Sequence, residues 1–177
     1  MARILIIYST TDGHTRKIGK RLQQVDAQAG HEAVLVSVDD EMQVDLASFD
    51  KIVIGASIRY GLYKPAIIDF VVRNKQLLDS KPSAFYSVTV VARTAEKREP
   101  DANPYMQKFF RQTAWQPKEL AVFAGKLDYP RYRFIDRQLI RLIMLMTKGP
   151  TDSKAVIEFT DWQQVEAFGR RVCEVPA

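Results

Sequence analysis

The chain has 177 residues, 46% of them hydrophobic and 27% charged, the make-up of a folded domain of ordinary size, which excludes a disordered or collagen-like chain. One cysteine, Cys173, excludes an internal disulfide and a Cys-based metal centre, and two histidines, His14 and His31, offer little for a zinc site. Lys and Arg number 26 against 21 Asp and Glu, a net charge of +5; this suits an anionic partner, and leaves a phosphate, an acidic substrate, a lipid surface or nucleic acid open.

The chain enters the apolar run Ile4-Leu5-Ile6-Ile7 at once, with no signal-peptide pattern. No apolar run reaches the ~20 residues that span a bilayer. The expectation is a cytoplasmic chain with peripheral membrane contact at most. Strand-like and helix-like segments then alternate. Ile4 to Tyr8 reads as a strand buried on both faces, and Thr15 to Gln28 as a helix with Ile18, Leu22 and Val25 on one stripe, stopped by Gly30. Ala33 to Val38 and Lys51 to Ala56 are the next strands. Pro65 suits a helix start, and Ala66 to Leu78 continues it. Ala84 to Val91 is a fourth strand, Pro104 to Gln112 a helix after a polar loop, Leu120 to Ala124 a fifth strand, and Asp161 to Val172 a closing helix capped by Thr160 or Asp161. This rhythm predicts an α/β fold over 1–177: a doubly wound parallel sheet with helices on both faces, strand order 2-1-3-4-5. One segment, about 129–152, is too long for a simple connection.

Ligands of such sheets bind beyond the carboxyl ends of the strands. After the first strand comes Ser9-Thr10-Thr11-Asp12-Gly13-His14-Thr15, hydroxyls and a glycine just before a helix. That turn presents backbone N–H groups, hydroxyls and a helix N-terminus to one anion; a loop of N-capping residues is the plainer alternative. It has neither the Lys-Ser/Thr ending of a P-loop nor G-x-G-x-x-G. Ala56-Ser57-Ile58-Arg59-Tyr60-Gly61 after the third strand can lie against a flat ring, with Tyr60 stacking on it. Ser87-Val88-Thr89-Val90-Val91-Ala92-Arg93 after the fourth would flank the other edge. For Arg59 and Tyr60 an ordinary solvated turn is the alternative. His14 and His31 read as solvent-facing, Cys173 as a packing residue.

The first loop resembles the flavodoxin phosphate loop, T/S-x-T-G-x-T, at Thr10, Gly13 and Thr15, with Asp12 replacing the hydroxyl residue before the glycine. An acid beside a phosphate is unfavourable unless it turns away. Six blocks together are more specific: Gly55 to Gly61, Pro82 to Val88, Val91-Ala92-Arg93, Glu96-Lys97-Arg98, Tyr129-Pro130-Arg131-Tyr132-Arg133 and Phe159-Thr160-Asp161-Trp162. Over essentially the whole chain they resemble the bacterial flavodoxin-like, menaquinone-dependent protoporphyrinogen oxidases. The resemblance implies a flavodoxin-like fold and FMN as cofactor. It implies oxidation of protoporphyrinogen IX to protoporphyrin IX in haem biosynthesis, with a membrane quinone (menaquinone or ubiquinone) as acceptor, peripherally at the cytoplasmic face of the bacterial inner membrane.

The long segment has its own character. Tyr129-Pro130-Arg131-Tyr132-Arg133 interleaves aromatics with guanidinium groups, and Phe134 to Thr147 reads as a helix whose apolar arc is wider than a surface helix needs. At ~1.5 Å per residue it cannot cross a ~30 Å hydrocarbon core. It could pack into the protein's own core, form a dimer face of a homo-oligomer, or lie in a membrane interface against anionic lipid, with Phe134, Arg137, Leu139, Ile140, Arg141, Ile143 and Met144 in contact. Arg59, Arg93, Arg131 and Arg133 are candidate anchors for substrate carboxylates, and Tyr129 and Tyr132 candidates to pack on the macrocycle. No nucleic-acid module is recognisable. The competing functions are a soluble flavodoxin-type electron carrier or a flavodoxin-like quinone reductase; a carrier has no use for the basic, apolar segment. A phospho-receiver domain is excluded, since Tyr8-Ser9 and Ala56-Ser57 stand where it needs acids.

Overall fold

Five apolar runs form the strands β1 (Arg3–Ser9), β2 (Glu32–Ser37), β3 (Lys51–Ser57), β4 (Ser83–Thr89) and β5 (Glu119–Ala124), all parallel, in the order β2-β1-β3-β4-β5. The structure is a computed structural model describing residues 1–176, with side chains for all of these but 41–43; Ala177, the last residue of the expected unit, lies outside the described residues. Along β1 successive side chains enter opposite layers, because strand side chains alternate between faces. Leu5 and Ile7 join Phe70, Phe85, Phe109 and Trp115 on one side of the sheet. Ile4 and Ile6 join Ile18, Leu22, Phe123 and Phe168 on the other side.

The first face is covered by α2 (Pro65–Ser80) and α3 (Pro104–Thr113), and the second by α1 (His14–Gln28) and the closing helix Trp162–Glu174. Gly30, with φ 79°, follows the end of α1, as a helix-terminating glycine should. Asp161 is the N-cap of the closing helix, its carboxylate accepting from the N–H groups of Gln163 and Gln164. The fourth strand stops at Thr89 rather than Val91. Its partner β5 ends at Ala124, opposite Thr89, and residues Val90–Arg93 turn over the sheet edge as a 3-10 turn. The polar loop that follows is a run of further short 3-10 turns up to Asn103, which caps α3.

The segment between β5 and the closing helix begins and ends in a ribbon the sequence did not reveal. Here β6 (Lys126–Asp128) pairs antiparallel with β7 (Val156–Glu158). Between them lies α4 (Phe134–Met146), so the closing helix is α5. Tyr129, Tyr132 and Met144 form a small core of their own with Leu127. No helix among the described residues is long and apolar enough to cross a membrane.

At the opposite end of the sheet Lys51, buried, donates to the last-turn carbonyls of Val172 (3.0 Å) and Cys173 (2.7 Å). Cys173 is more than packing: its Sγ donates to Asp26 Oδ1 at 3.2 Å, and Asp26 is only 2% exposed. Burial raises the Asp26 pKa from 3.8 to about 6, opposed by the Cys173 hydrogen bond and by Lys51. Between those two values the folded chain binds more protons than the unfolded one, so stability falls as pH rises through that window, by up to about 3 kcal/mol. We expect Asp26→Asn, which still accepts from Cys173, to flatten this slope and to raise Tm at pH 8 more than at pH 4. Equal pH dependence of thermal unfolding in variant and wild type would contradict the assignment.

Candidate active site

The carboxyl ends of β1, β3 and β4 open into a cavity of about 550 Å³. Its floor and sides are the three expected loops, and its roof is α4. The first loop is shaped by Gly13, whose φ of 86° favours glycine, and by the Gly13 N–H donated to Thr10 Oγ1 at 2.9 Å. No side chain caps α1, so its first N–H groups have no partner within the helix. The loop is held from behind by Tyr86, whose hydroxyl donates to the Thr15 carbonyl at 3.1 Å. The Tyr86 ring crosses β3 at Gly55, where a Cβ would lie 2.1 Å from it.

Three buried hydroxyls at these strand ends, those of Ser9, Thr15 and Ser57, have no hydrogen-bond partner among the described residues. Buried polar groups are normally satisfied. Hydroxyl donors around an uncapped helix N-terminus fit a phosphate group. Asp12 lines the cavity, but its carboxylate is paired with Arg59 Nη1 at 3.0 Å, which offsets the negative charge beside the loop.

The second loop is a tight two-residue hairpin. Arg59 and Leu62 exchange backbone hydrogen bonds of 2.9 and 3.0 Å, and Tyr60 and Gly61 carry φ of 52° and 75°. This turn aims the Tyr60 hydroxyl at Asp136 in the first turn of α4, beside the Arg59 Nη2 at 3.5 Å from the same carboxylate. Desolvation opposes the Arg59 charge, but Tyr60, Asp12 and Asp136 outweigh it and raise its pKa. The Tyr60 phenol is raised too, by burial and by its bond to Asp136. The third loop contributes Val88, Thr89, Val90 and Val91 to the cavity wall.

Of the residues expected around the cofactor, Thr10, Thr11, Asp12, His14, Thr15, Ser57, Ile58, Arg59, Tyr60 and Gly61 also line the cavity. Ser9, Ala56, Ser87 and Ala92 lie in the layer beneath, Ser87 accepting from the Tyr63 hydroxyl at 2.8 Å. Gly13 faces a neighbouring groove with Lys17, Lys126 and Arg131. His14 is not solvent-facing. Thr160 gives its proton to the Ala124 carbonyl (2.7 Å), so it accepts from His14 Nε2 at 2.6 Å. Burial lowers the His14 pKa; Glu158 opposes this, and Lys17 and Lys126 add to it.

The long segment departs most from expectation. Ile140, Ile143 and Met144, taken as lipid contacts, point inward with Tyr132 and form the cavity's apolar roof. Their spacing of three and four puts them on one helix face. Arg137 and Arg141 also turn inward: Arg137 donates to the Tyr132 carbonyl (3.3 Å) and Arg141 to the Thr151 carbonyl (2.9 Å). Tyr129 cannot meet a ligand, because its ring is fully buried and its hydroxyl donates to Pro150. Arg93 lies outside the cavity, bound to Thr147. Tyr105, Gly125 and Lys126 line the cavity and were not anticipated; Gly125 and Lys126 directly follow the fifth strand, a position that marks ligand contacts in this topology.

A doubly wound sheet with a phosphate-ready first loop and two ring-flanking loops defines a flavin-binding class of protein. The flavodoxin-domain family model matches residues 5–154. A protoporphyrinogen IX dehydrogenase [quinone] of Escherichia coli K12 is 44% identical over 173 residues, covering 98% of this chain and 96% of its own. One from Leishmania major is 41% identical over 175 residues, covering 98% of this chain and 76% of its own. An oxidised flavodoxin 1 from Bacillus cereus shares the fold at 13% identity and a TM-score of 0.55, covering 99% of this chain and 100% of that one. The chain belongs to the flavodoxin-domain family, and within it to the quinone-linked protoporphyrinogen IX dehydrogenases.

Proposed function

We propose that the chain oxidises protoporphyrinogen IX to protoporphyrin IX, with FMN in the roofed cavity and a membrane quinone as electron acceptor. One observation carries the reading: a single cavity joins an uncapped helix N-terminus, with the partnerless hydroxyls of Thr15 and Ser57, to an apolar roof of Tyr132, Ile140, Ile143 and Met144. The polar end suits one phosphate and the apolar end a flat ring. Bound there, a flavin supplies the redox chemistry, while the chain supplies position, polarity and shelter from water. Thr10, Thr11 and Thr15 would hold the phosphate, and Ile58 to Gly61 with Val88 to Val91 would flank the ring.

The roof separates this site from that of a soluble carrier, whose flavin edge must stay open to a protein partner. Arg131 and Arg133 are exposed and have no ion-pair partner among the described residues. They would meet the carboxylate arms of the tetrapyrrole beside the Tyr132 ring. The outer face of α4 would rest on anionic lipid at the cytoplasmic face of the inner membrane. Phe134, Ile135, Leu145 and Met146 there are 72%, 72%, 68% and 76% exposed, near the exposed cations Arg131, Arg133 and Lys148.

The deciding experiment is reconstitution with FMN, protoporphyrinogen IX and menaquinone in vesicles, followed by porphyrin fluorescence. Porphyrin formation above the cofactor-free background supports the reading, and its absence refutes it. Two predictions refine it. Thr15→Val removes one donor to a charged group, so FMN affinity should fall by roughly 1.5–3 kcal/mol while riboflavin binding is unchanged. Equal losses for both ligands would mean that no phosphate sits in the loop. Leu142→Glu with Leu145→Glu changes only exposed positions, so FMN binding should survive while co-sedimentation with anionic vesicles is lost. Undiminished vesicle binding would place the lipid contact elsewhere.

A further inference from the structure

Arg93 belongs to the turn that follows β4, yet its guanidinium reaches the far end of the roof. Nη2 donates to both the carbonyl and, at 2.9 Å, the Oγ1 of Thr147, the residue that ends α4. Nη1 reaches the carbonyl of Val90, a residue of the cavity wall, at 3.5 Å. One planar group thus bridges the wall to the Thr147 carbonyl at the roof's C-terminus, where a cation is also favoured by the helix dipole. The chain makes room for it. A Cβ at Gly149 would lie 2.8 and 2.9 Å from Arg93 Nη2 and Cζ, and 2.7 Å from the sulfur of Met144. Beyond it, Lys148 carries a left-handed φ of 55°, and Gly149 N–H donates to the Met144 carbonyl at 2.7 Å. The other end of α4 is held separately, by Asp136 on Arg59 and Tyr60.

We infer that Arg93 is a positioning residue for the redox site: by capping α4 from the third loop it keeps Ile143 and Met144 seated over the cavity. This rests on the cavity being the flavin site of the proposed reaction. Arg93 does not itself line the cavity and reaches its wall only at the Val90 carbonyl, away from the phosphate loop, so its loss should weaken cofactor binding little. What changes is the environment of the ring and the surface on which the tetrapyrrole packs. Without the bridge the C-terminal half of the roof swings away and admits water.

The test uses the FMN-loaded protein and four variants: Arg93→Met, Arg93→Lys, Gly149→Ala and Arg93→Met with Gly149→Ala. Arg93→Met should change FMN affinity little, since the phosphate loop is untouched, but blur the vibronic shoulders of the bound-flavin absorption band, which sharpen in a dry, apolar setting. KM for protoporphyrinogen should rise about tenfold or more, with a smaller change in kcat. Arg93→Lys, which keeps one donor to Thr147, should restore much of both signals. Gly149→Ala, which crowds both the guanidinium and the Met144 sulfur without changing charge, should disturb the flavin band at least as much as Arg93→Met, and the double variant should fall short of the sum of the two. An unchanged flavin band and KM in Arg93→Met would overturn the inference. So would a loss of FMN affinity as its main effect, or additive effects of the two substitutions. If Arg93→Met does not fold, Arg93→Gln, which is shorter and uncharged, carries the same test. If the wild-type protein does not oxidise protoporphyrinogen, the proposed reaction fails, and the flavin band alone still decides whether Arg93 seats the roof.

Discussion

The site depends on the way the first turn of α1 is held against the sheet. An uncapped helix N-terminus binds an anion only if its N–H groups point at a fixed place. Tyr86 fixes it. The ring passes over β3 where Gly55 has no side chain, and its hydroxyl takes up the Thr15 carbonyl on the far side. Burial of the phenol raises its pKa and keeps it a neutral donor. The strut runs through three elements, so a side chain at Gly55 would disturb the core and the anion site together. With α1 set, the remaining loops need only turn toward it. The left-handed pair Tyr60-Gly61 does so on one side and the 3-10 turn after Thr89 on the other.

Above this base, α4 explains its own unusual composition. Its apolar arc is wide because it is two faces rather than one. Ile140, Ile143 and Met144 close the cavity, while Phe134, Ile135, Leu142, Leu145 and Met146 remain exposed. A ring bound below and a lipid surface above would each see apolar groups, with one helix between them. One helix would then serve a cofactor on its inner face and an acceptor confined to lipid on its outer one. Both ends of the helix are tied to the loops that frame the cavity, through Arg59 and Arg93. Of the arginines around the cavity, Arg59, Arg93, Arg137 and Arg141 bind this chain, while Arg131 and Arg133 are exposed and would be left for an acidic ligand.

The sheet and its order were legible because parallel strands buried on both faces read as continuous apolar runs, and Ile4 to Ile7 or Ile52 to Ile54 allow little else. The first loop stood out as a candidate anion site because hydroxyls and one glycine stand next to a helix start. Other features are set by contacts distant in sequence. The β6–β7 ribbon has three residues per strand, too few for a period to register. His14 is drawn inward by Thr160, far along the chain. The arginines of the long segment look like a lipid-facing stripe in one dimension. In three, the carbonyls of Tyr132 and Thr151 offer them nearer partners. Asp12 is the instructive case: the sequence sets an acid where an anion would bind, and only the fold supplies Arg59 as its partner.

The central claim is that a flavodoxin-like base binds the cofactor and the segment above it makes the base a porphyrinogen oxidase. Asp128 and Val156 face each other in the ribbon, so everything between them can be replaced by an Asn-Gly hairpin turn. The direct measurement compares FMN titration and porphyrin fluorescence, with quinone present, for this variant and the full chain. The account predicts that the variant binds FMN and that its flavin is reduced by dithionite, while porphyrin formation is abolished. Porphyrin formation at the full chain's rate would contradict it.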